Sequence, residues 1–121
     1  MKEPKLIALI LARHGGRART RLWRNATAKA WVGPFKRRVQ SGEVVLGKGA
    51  RPIQAGLCVG SPDIIGIHEG KFVAMEVKTG GGRVTKQQKR FLDTIERIGG
   101  GAIAGVVRSL EDTDKLLGRP E

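Results

Sequence analysis

The stretch from Gly60 to Lys89 constrains the chain most, because it sets two acids at fixed distances either side of one turn. It reads Gly60-Ser61-Pro62-Asp63, then Ile-Ile-Gly-Ile-His, then Glu69-Gly70, then Lys-Phe-Val-Ala-Met, then Glu76-Val77-Lys78, and closes on Thr85-Lys86-Gln87-Gln88. Two apolar, β-branched runs around a dipeptide ending in glycine predict a β-hairpin. Gly70 supplies the φ > 0 residue that a two-residue turn needs. With Glu69 and Gly70 as the loop, His68 pairs with Lys71, Ile67 with Phe72, Ile65 with Ala74 and Asp63 with Glu76. Directly opposed residues have Cβ atoms about 4.5–5.5 Å apart. Alternation along a strand then puts Lys78 on the face of Glu76.

Two carboxylates facing each other on an apolar hairpin destabilise it unless a cation stands between them. A divalent ion does this well, since Mg²⁺ takes one or two carboxylates and keeps several waters. A lysine on the same face would orient or deprotonate a water, or neutralise charge developing on phosphorus. The plainer alternative is a structural hairpin in which Asp63 caps a turn after Pro62 and Glu76–Lys78 is a surface ion pair.

Pro62-Asp63 followed by Glu76-Val77-Lys78 resembles the motif of the PD-(D/E)XK nuclease superfamily. The longer pattern Gly60-Ser61-Pro62-Asp63, Glu76-Val77-Lys78, Thr85-x-x-Gln88 resembles the virus-type replication-repair nuclease (VRR-NUC) domain in particular, from about Gly60 to Leu117. The resemblance implies an α/β fold with a central mixed sheet flanked by helices, dependence on Mg²⁺ or Mn²⁺, and phosphodiester hydrolysis on DNA. It assigns Asp63, Glu76, Lys78 and Gln88 to catalysis. Asp63, Glu76 and the Val77 backbone carbonyl would hold the metal, and Glu3 in a first helix is the candidate for a further acidic ligand. Stand-alone members resemble small homodimeric, structure-selective nucleases.

A chain of 121 residues fits one domain with a modest core. We take residues 1–121 as that domain, with a nuclease core over 60–117. The single cysteine, Cys58, rules out an internal disulfide and suits a reducing cytoplasm; burial as a small apolar side chain is its ordinary fate. No apolar run reaches membrane-spanning length, and the apolar stretch after Pro4 lacks the flanks of a signal peptide.

The formal charge is +12, and it is unevenly placed. Residues 1–62 hold 13 basic and two acidic side chains, whereas residues 63–121 hold ten and nine. A field concentrated ahead of the carboxylates suits a polyanion gathered there and processed beside it. The arginines are scattered among Gly, Trp and Pro, which argues against a membrane-surface helix.

The chain opens with a helix from Pro4 to about His14, apolar at Leu6, Ile7, Ile10 and Leu11 and ended by Gly15-Gly16. Glu3 at its start is equally well placed to complement the helix dipole. From Arg17 to Val32, near-alternating arginines including Arg21 and Arg24 predict a strand with one basic face. Trp23 and Trp31 would stack on bases if exposed, although burial in the core is the commoner fate. Residues 33–60 read as a basic, Gly/Pro-rich loop or flap, with a short strand at Val44–Leu46 opposite Arg38–Gln40. Lys36, Arg37, Arg38, Lys48 and Arg51 would meet the DNA backbone there.

After the hairpin, Thr79-Gly80-Gly81-Gly82-Arg83 lacks the ending of a nucleotide-binding P-loop, and Arg83 is a candidate phosphate contact. Thr85-x-x-Gln88 is a capping box. Gln88 also shares the inward face with Phe91, Ile95 and Ile98, and Lys86 and Lys89 place cations at the helix start. A strand over Ala102–Val107 should run parallel to Phe72–Lys78, since strand–helix–strand makes a crossover. A helix capped by Ser109 follows. These readings converge on a metal-dependent endonuclease for branched DNA, such as four-way junctions or flaps. The alternatives are a non-catalytic basic DNA-binding accessory protein and a sequence-specific restriction-type nuclease.

Overall fold

The elements in chain order are α1 (Glu3–His14), β1 (Thr20–Arg24), β2 (Ala28–Val32), β3 (Phe35–Arg38), β4 (Val44–Leu46), β5 (Arg51–Ala55), β6 (Ile64–His68), β7 (Lys71–Val77), α2 (Lys86–Ile98), β8 (Ile103–Val107) and α3 (Leu110–Leu117). They are those of a computed structural model that describes residues 1–26, 28–38 and 44–120. The central sheet has the order β1-β6-β7-β8. β6 runs antiparallel to both β1 and β7, and β8 lies parallel to β7, so the sheet is mixed.

The hairpin forms with His68 opposite Lys71, Ile67 opposite Phe72 and Ile65 opposite Ala74. Glu69 (φ 53°) and Gly70 (φ 78°) both take positive φ, the turn whose twist matches that of the strands. Glu69 accepts a conformation unusual for its type, and its carboxylate meets Arg19 at 3.0 Å.

One face of this sheet makes the core. Leu22, Ile64, Val73, Met75, Val77 and Val107 pack against Leu6, Ile7 and Ile10 of α1 and Leu117 of α3. Each such side chain contributes roughly 1.5–3 kcal/mol by leaving water. The same two helices are joined by a polar clasp. Buried His14 meets Asp114 through Nε2 (2.9 Å) and receives the Arg17 guanidinium on Nδ1 (2.8 Å). Burial holds its pKa below the usual histidine value, which keeps the ring neutral and fits the acceptor role of Nδ1. Arg17 also donates to the Gly118 carbonyl beyond α3.

α2 lies on the opposite face. Leu92, its buried residue, is absent from the core cluster, while Gln88 reaches Glu76, whose side chain alternates away from Met75 and Val77. Ile98, expected to face inward, is 75% exposed at the last position of the helix. Leu92 is buried and Phe91 and Ile95 are half-buried, so the apolar face holds until the helix's last residue.

Residues 33–60 are not one irregular loop. β2 pairs with β5, and β3 pairs with β4 from Arg38 opposite Val44, so residues 28–55 form two successive two-stranded ladders in one arm. Of the expected pairing partners Arg38–Gln40, Val39 and Gln40 fall outside the described residues. Nor is Arg17–Val32 a single strand, because Asn25 leaves the sheet and begins the arm. Among the described residues the core cluster holds none between Leu22 and Ile64. Cys58, expected to be buried, is exposed at the arm's base. Among the described residues no helix is long and apolar enough to cross a membrane.

Candidate active site

The register that pairs Ile64 with Met75 brings Asp63 opposite Glu76 at the open end of the hairpin. Asp63 precedes β6 by one residue. Its carbonyl still accepts from the Asn25 amide (2.7 Å), while its carboxylate Oδ2 takes the Val77 amide at 2.8 Å. A side chain thus stands where a strand carbonyl would be, which fixes the carboxylate on the ladder.

Glu76 is 3% exposed. Its pKa is pushed up to about 8, first by burial, then by a hydrogen bond with the Asp63 carboxyl and by that group's charge; Lys78 opposes the shift and Glu3 adds to it. The two acids therefore lie close enough for each to disfavour the other's charge. Lys78 Nζ lies 3.8 Å from Glu76 Oε1, and Gln88 Nε2 donates to the same oxygen at 3.0 Å.

Gln88 does both things its position allows. Its Oε1 accepts from the Thr85 amide (2.8 Å) and Thr85 Oγ1 accepts from the Gln88 amide (3.1 Å), completing the capping box, while Nε2 is left for Glu76. Glu3, in the first turn of α1, approaches from the glycine-rich connector. A methyl built on Gly82 would lie 3.4 Å from Glu3 Oε1 and 3.6 Å from Lys78 Cδ. Among the described residues no three His, Cys, Asp or Glu side chains are gathered closely enough to hold a metal, so Glu3 stands beside the acidic pair rather than in it. Val77 lies between Glu76 and Lys78 with its side chain buried in the core.

The residues expected to meet DNA are distributed over three elements. Arg21 and Arg24 are exposed on β1, and Arg83, Lys86 and Lys89 are exposed on and just before α2. Lys48 and Arg51 are exposed on the arm, and Lys36, Arg37 and Arg38 lie along β3. The first turn of α2 has no acid, and Lys86, Lys89 and Arg90 crowd the helix end whose dipole repels cations. Such an arrangement favours an anionic partner over local stability. Trp23 and Trp31, expected in the core, are 52% and 59% exposed.

Three positioning residues escaped the sequence reading. Asn25, buried, donates from Nδ2 to Ser61 Oγ and to the Pro62 carbonyl (both 2.8 Å) and accepts from the Leu57 amide (3.2 Å). It locks the root of the arm onto the segment that presents Asp63. Gly60 (φ 86°) leaves room for α2, because a Cβ there would sit 2.7 Å from the Gln87 backbone. Arg108 donates to the Gly82 carbonyl at 2.9 Å and steadies the connector.

A mixed sheet between helices, with an acid pair, a lysine and a glutamine at one strand end, defines a nuclease fold of the PD-(D/E)XK kind. The model of the VRR-NUC domain matches residues 43–109, which include Asp63, Glu76, Lys78 and Gln88. The chain belongs to the VRR-NUC family of that superfamily. None of the curated proteins compared matches it.

Proposed function

We propose that this nuclease is a divalent-metal-dependent endonuclease that hydrolyses DNA at branched structures such as four-way junctions or flaps. The observation that carries the reading is the approach of the Asp63 and Glu76 carboxyls to hydrogen-bonding reach, with Lys78 and Gln88 both on Glu76. Two hard oxygen donors opposed across a strand pair are a donor set for Mg²⁺ or Mn²⁺. Asp63, Glu76 and the Val77 carbonyl would hold the ion, which supplies Lewis acidity at the phosphate when bound.

The chain's own groups do the rest. The Val77 amide holds Asp63, and Gln88 holds Glu76 in its rotamer. Lys78 orients the water that adds to phosphorus as the P–O bond to the leaving strand breaks. Arg83, Lys86 and Lys89 flank the site and hold neighbouring phosphates. The exposed cations Arg21, Arg24, Lys48 and Arg51, with Lys36, Arg37 and Arg38 on β3, are spread over several elements, and such a spread suits a branched polyanion. Paired cuts across a junction need two such sites, which the expected homodimer would supply.

Labelled four-way junction, flap and linear duplex incubated with and without Mg²⁺ test this reading. Cleavage of the branched substrates only with metal, lost in Asp63→Ala, is expected. Cleavage that survives Asp63→Ala, or binding without any cleavage by the wild type, would overturn it.

A further inference from the structure

The sheet face that carries Glu76 is only partly covered, and β1, at the sheet edge, contributes an aromatic to it. Leu22 points into the core, so its neighbours Arg21 and Trp23 point to the opposite face, and both are exposed. Trp23 is paired with Ile65, two residues along β6 from Asp63. That makes Trp23 the diagonal neighbour of Asp63, at about 7–8 Å between Cα atoms.

We propose that Trp23 is a stacking platform for an unpaired base beside the bond being cut, and that it selects strands whose bases are free of a duplex partner. The inference rests on Asp63 and Glu76 being the cleavage site and specifies what lies next to it. Its cross-strand partner on the same face is Ile65, and the Trp23 side chain is 52% exposed. A large aromatic so placed is unusual in a core and well suited to a base, since every base has a π-face that stacking does not discriminate. In a duplex those faces are covered by neighbouring pairs, so only a splayed nucleotide can reach a ring fixed on a sheet.

The surroundings choose a polyanion over a second copy of the chain. Arg21 shares the face of Trp23, Arg24 is exposed at the end of β1, and the strand carries no acid. Beyond Arg21, in its row across the sheet, lie half-exposed Ile67 and Phe72, an apolar strip for a further base. Two copies laid face to face would oppose arginine to arginine, whereas a nucleic-acid strand brings phosphates to the arginines and bases to the ring.

The test is binding by the full-length protein without divalent ions, read by anisotropy on a labelled single-stranded oligo-dT and on a blunt duplex. The variants are Trp23→Phe, Trp23→Leu and Trp23→Ala. Leucine keeps an apolar side chain opposite Ile65 without a flat ring, so it separates stacking from folding if alanine unfolds the edge strand. Leu and Ala should weaken oligo-dT binding about five- to hundredfold, the range for one base–aromatic contact. Duplex binding and the salt slope should stay within about twofold, because no phosphate contact is lost. Phe should recover most of the affinity. Equal losses on both DNAs, or no loss with Leu, would overturn the proposal. So would sedimentation showing a wild-type dimer that Trp23→Leu separates, since the strip would then be a self-interface. Cleavage is not read here, so failure of the Asp63→Ala test and failure of this one are distinguishable.

Discussion

Glu76 concentrates the chemistry of the site in one side chain. Its pKa of about 8 in the folded, metal-free protein stands well above the ordinary value of 4.5. Folding therefore favours its protonated form, so this stability is fully present below about pH 4.5 and is lost as pH rises through about 8. Glu76→Gln removes the carboxylate and keeps the shape. Without metal, the variant should melt several degrees above wild type at pH 9, with the difference vanishing near pH 4.5; thermal melts in EDTA across that range check it. The same variant should not cleave, and Mg²⁺ should stabilise wild type at pH 9 but not the variant, because protons and metal compete for the same oxygens. Asn25 acts at the same scale without touching the reaction. Asn25→Ala would orphan the Leu57 amide and loosen Ser61 and Pro62, at a cost of roughly 1–3 kcal/mol. Chemical denaturation measures that, and cleavage should fall more than DNA binding. Local patterns announced Asp63, Glu76, Lys78 and Gln88, because each sits in a short motif with its own geometry. Asn25 was silent because its partners lie 32 to 37 residues further along the chain.

Among the elements, those with a period and a cap were readable before any coordinates. The hairpin register, the Thr85 capping box, the Ser109-capped helix and the parallel β8 each follow from a rule that operates within a few residues. The arm was not readable, because its short strands are punctuated by Gly and Pro and interleaved with cations. β2 and β5 satisfy each other's backbones while Trp31 and Ile53 stay exposed, so neither alternation nor a hydrophobic run marks them. Ile98 misled because periodicity cannot say at which residue the covered face stops. The junction between α2 and the Ser-Pro-Asp segment depends on one backbone position. Gly60→Ala forces a side chain into positive φ and against the Gln87 backbone at 2.7 Å. It should destabilise by roughly 1–3 kcal/mol and displace Gln88 from Glu76. The kinetic signature would be a lower kcat with KM for DNA little changed; a lower KM-related affinity at constant kcat would instead place the role of Gly60 in binding.

At the scale of the whole molecule, charge and core are divided between different parts of the chain. Among the described residues the apolar cluster joins α1, α3 and the central sheet and skips from Leu22 to Ile64, whereas the arm between them carries Lys29, Lys36, Arg37, Arg38, Lys48 and Arg51. The fold can therefore be separated from much of its electrostatic reach. Replacing residues 28–55 by a short Gly-Ser linker, with Asn25 and Leu57 kept, should leave the melting temperature close to that of wild type, because every described residue of the core cluster is retained. DNA binding should weaken sharply, and its salt dependence should flatten. Each phosphate contact contributes about 0.9 to the slope of log K against log salt, so loss of six cations would lower the slope by up to about five. At saturating DNA and low salt, kcat should survive, since the site residues from Asp63 onward and Glu3 are all retained. Anisotropy titrations from low to moderate salt, paired with single-turnover cleavage, measure both quantities on the same protein. An unchanged slope would show that the arm does not meet the phosphates. A cleavage rate that collapses at saturation would show that the arm positions the scissile strand as well as attracting it, and Asn25 would be the link through which it does so.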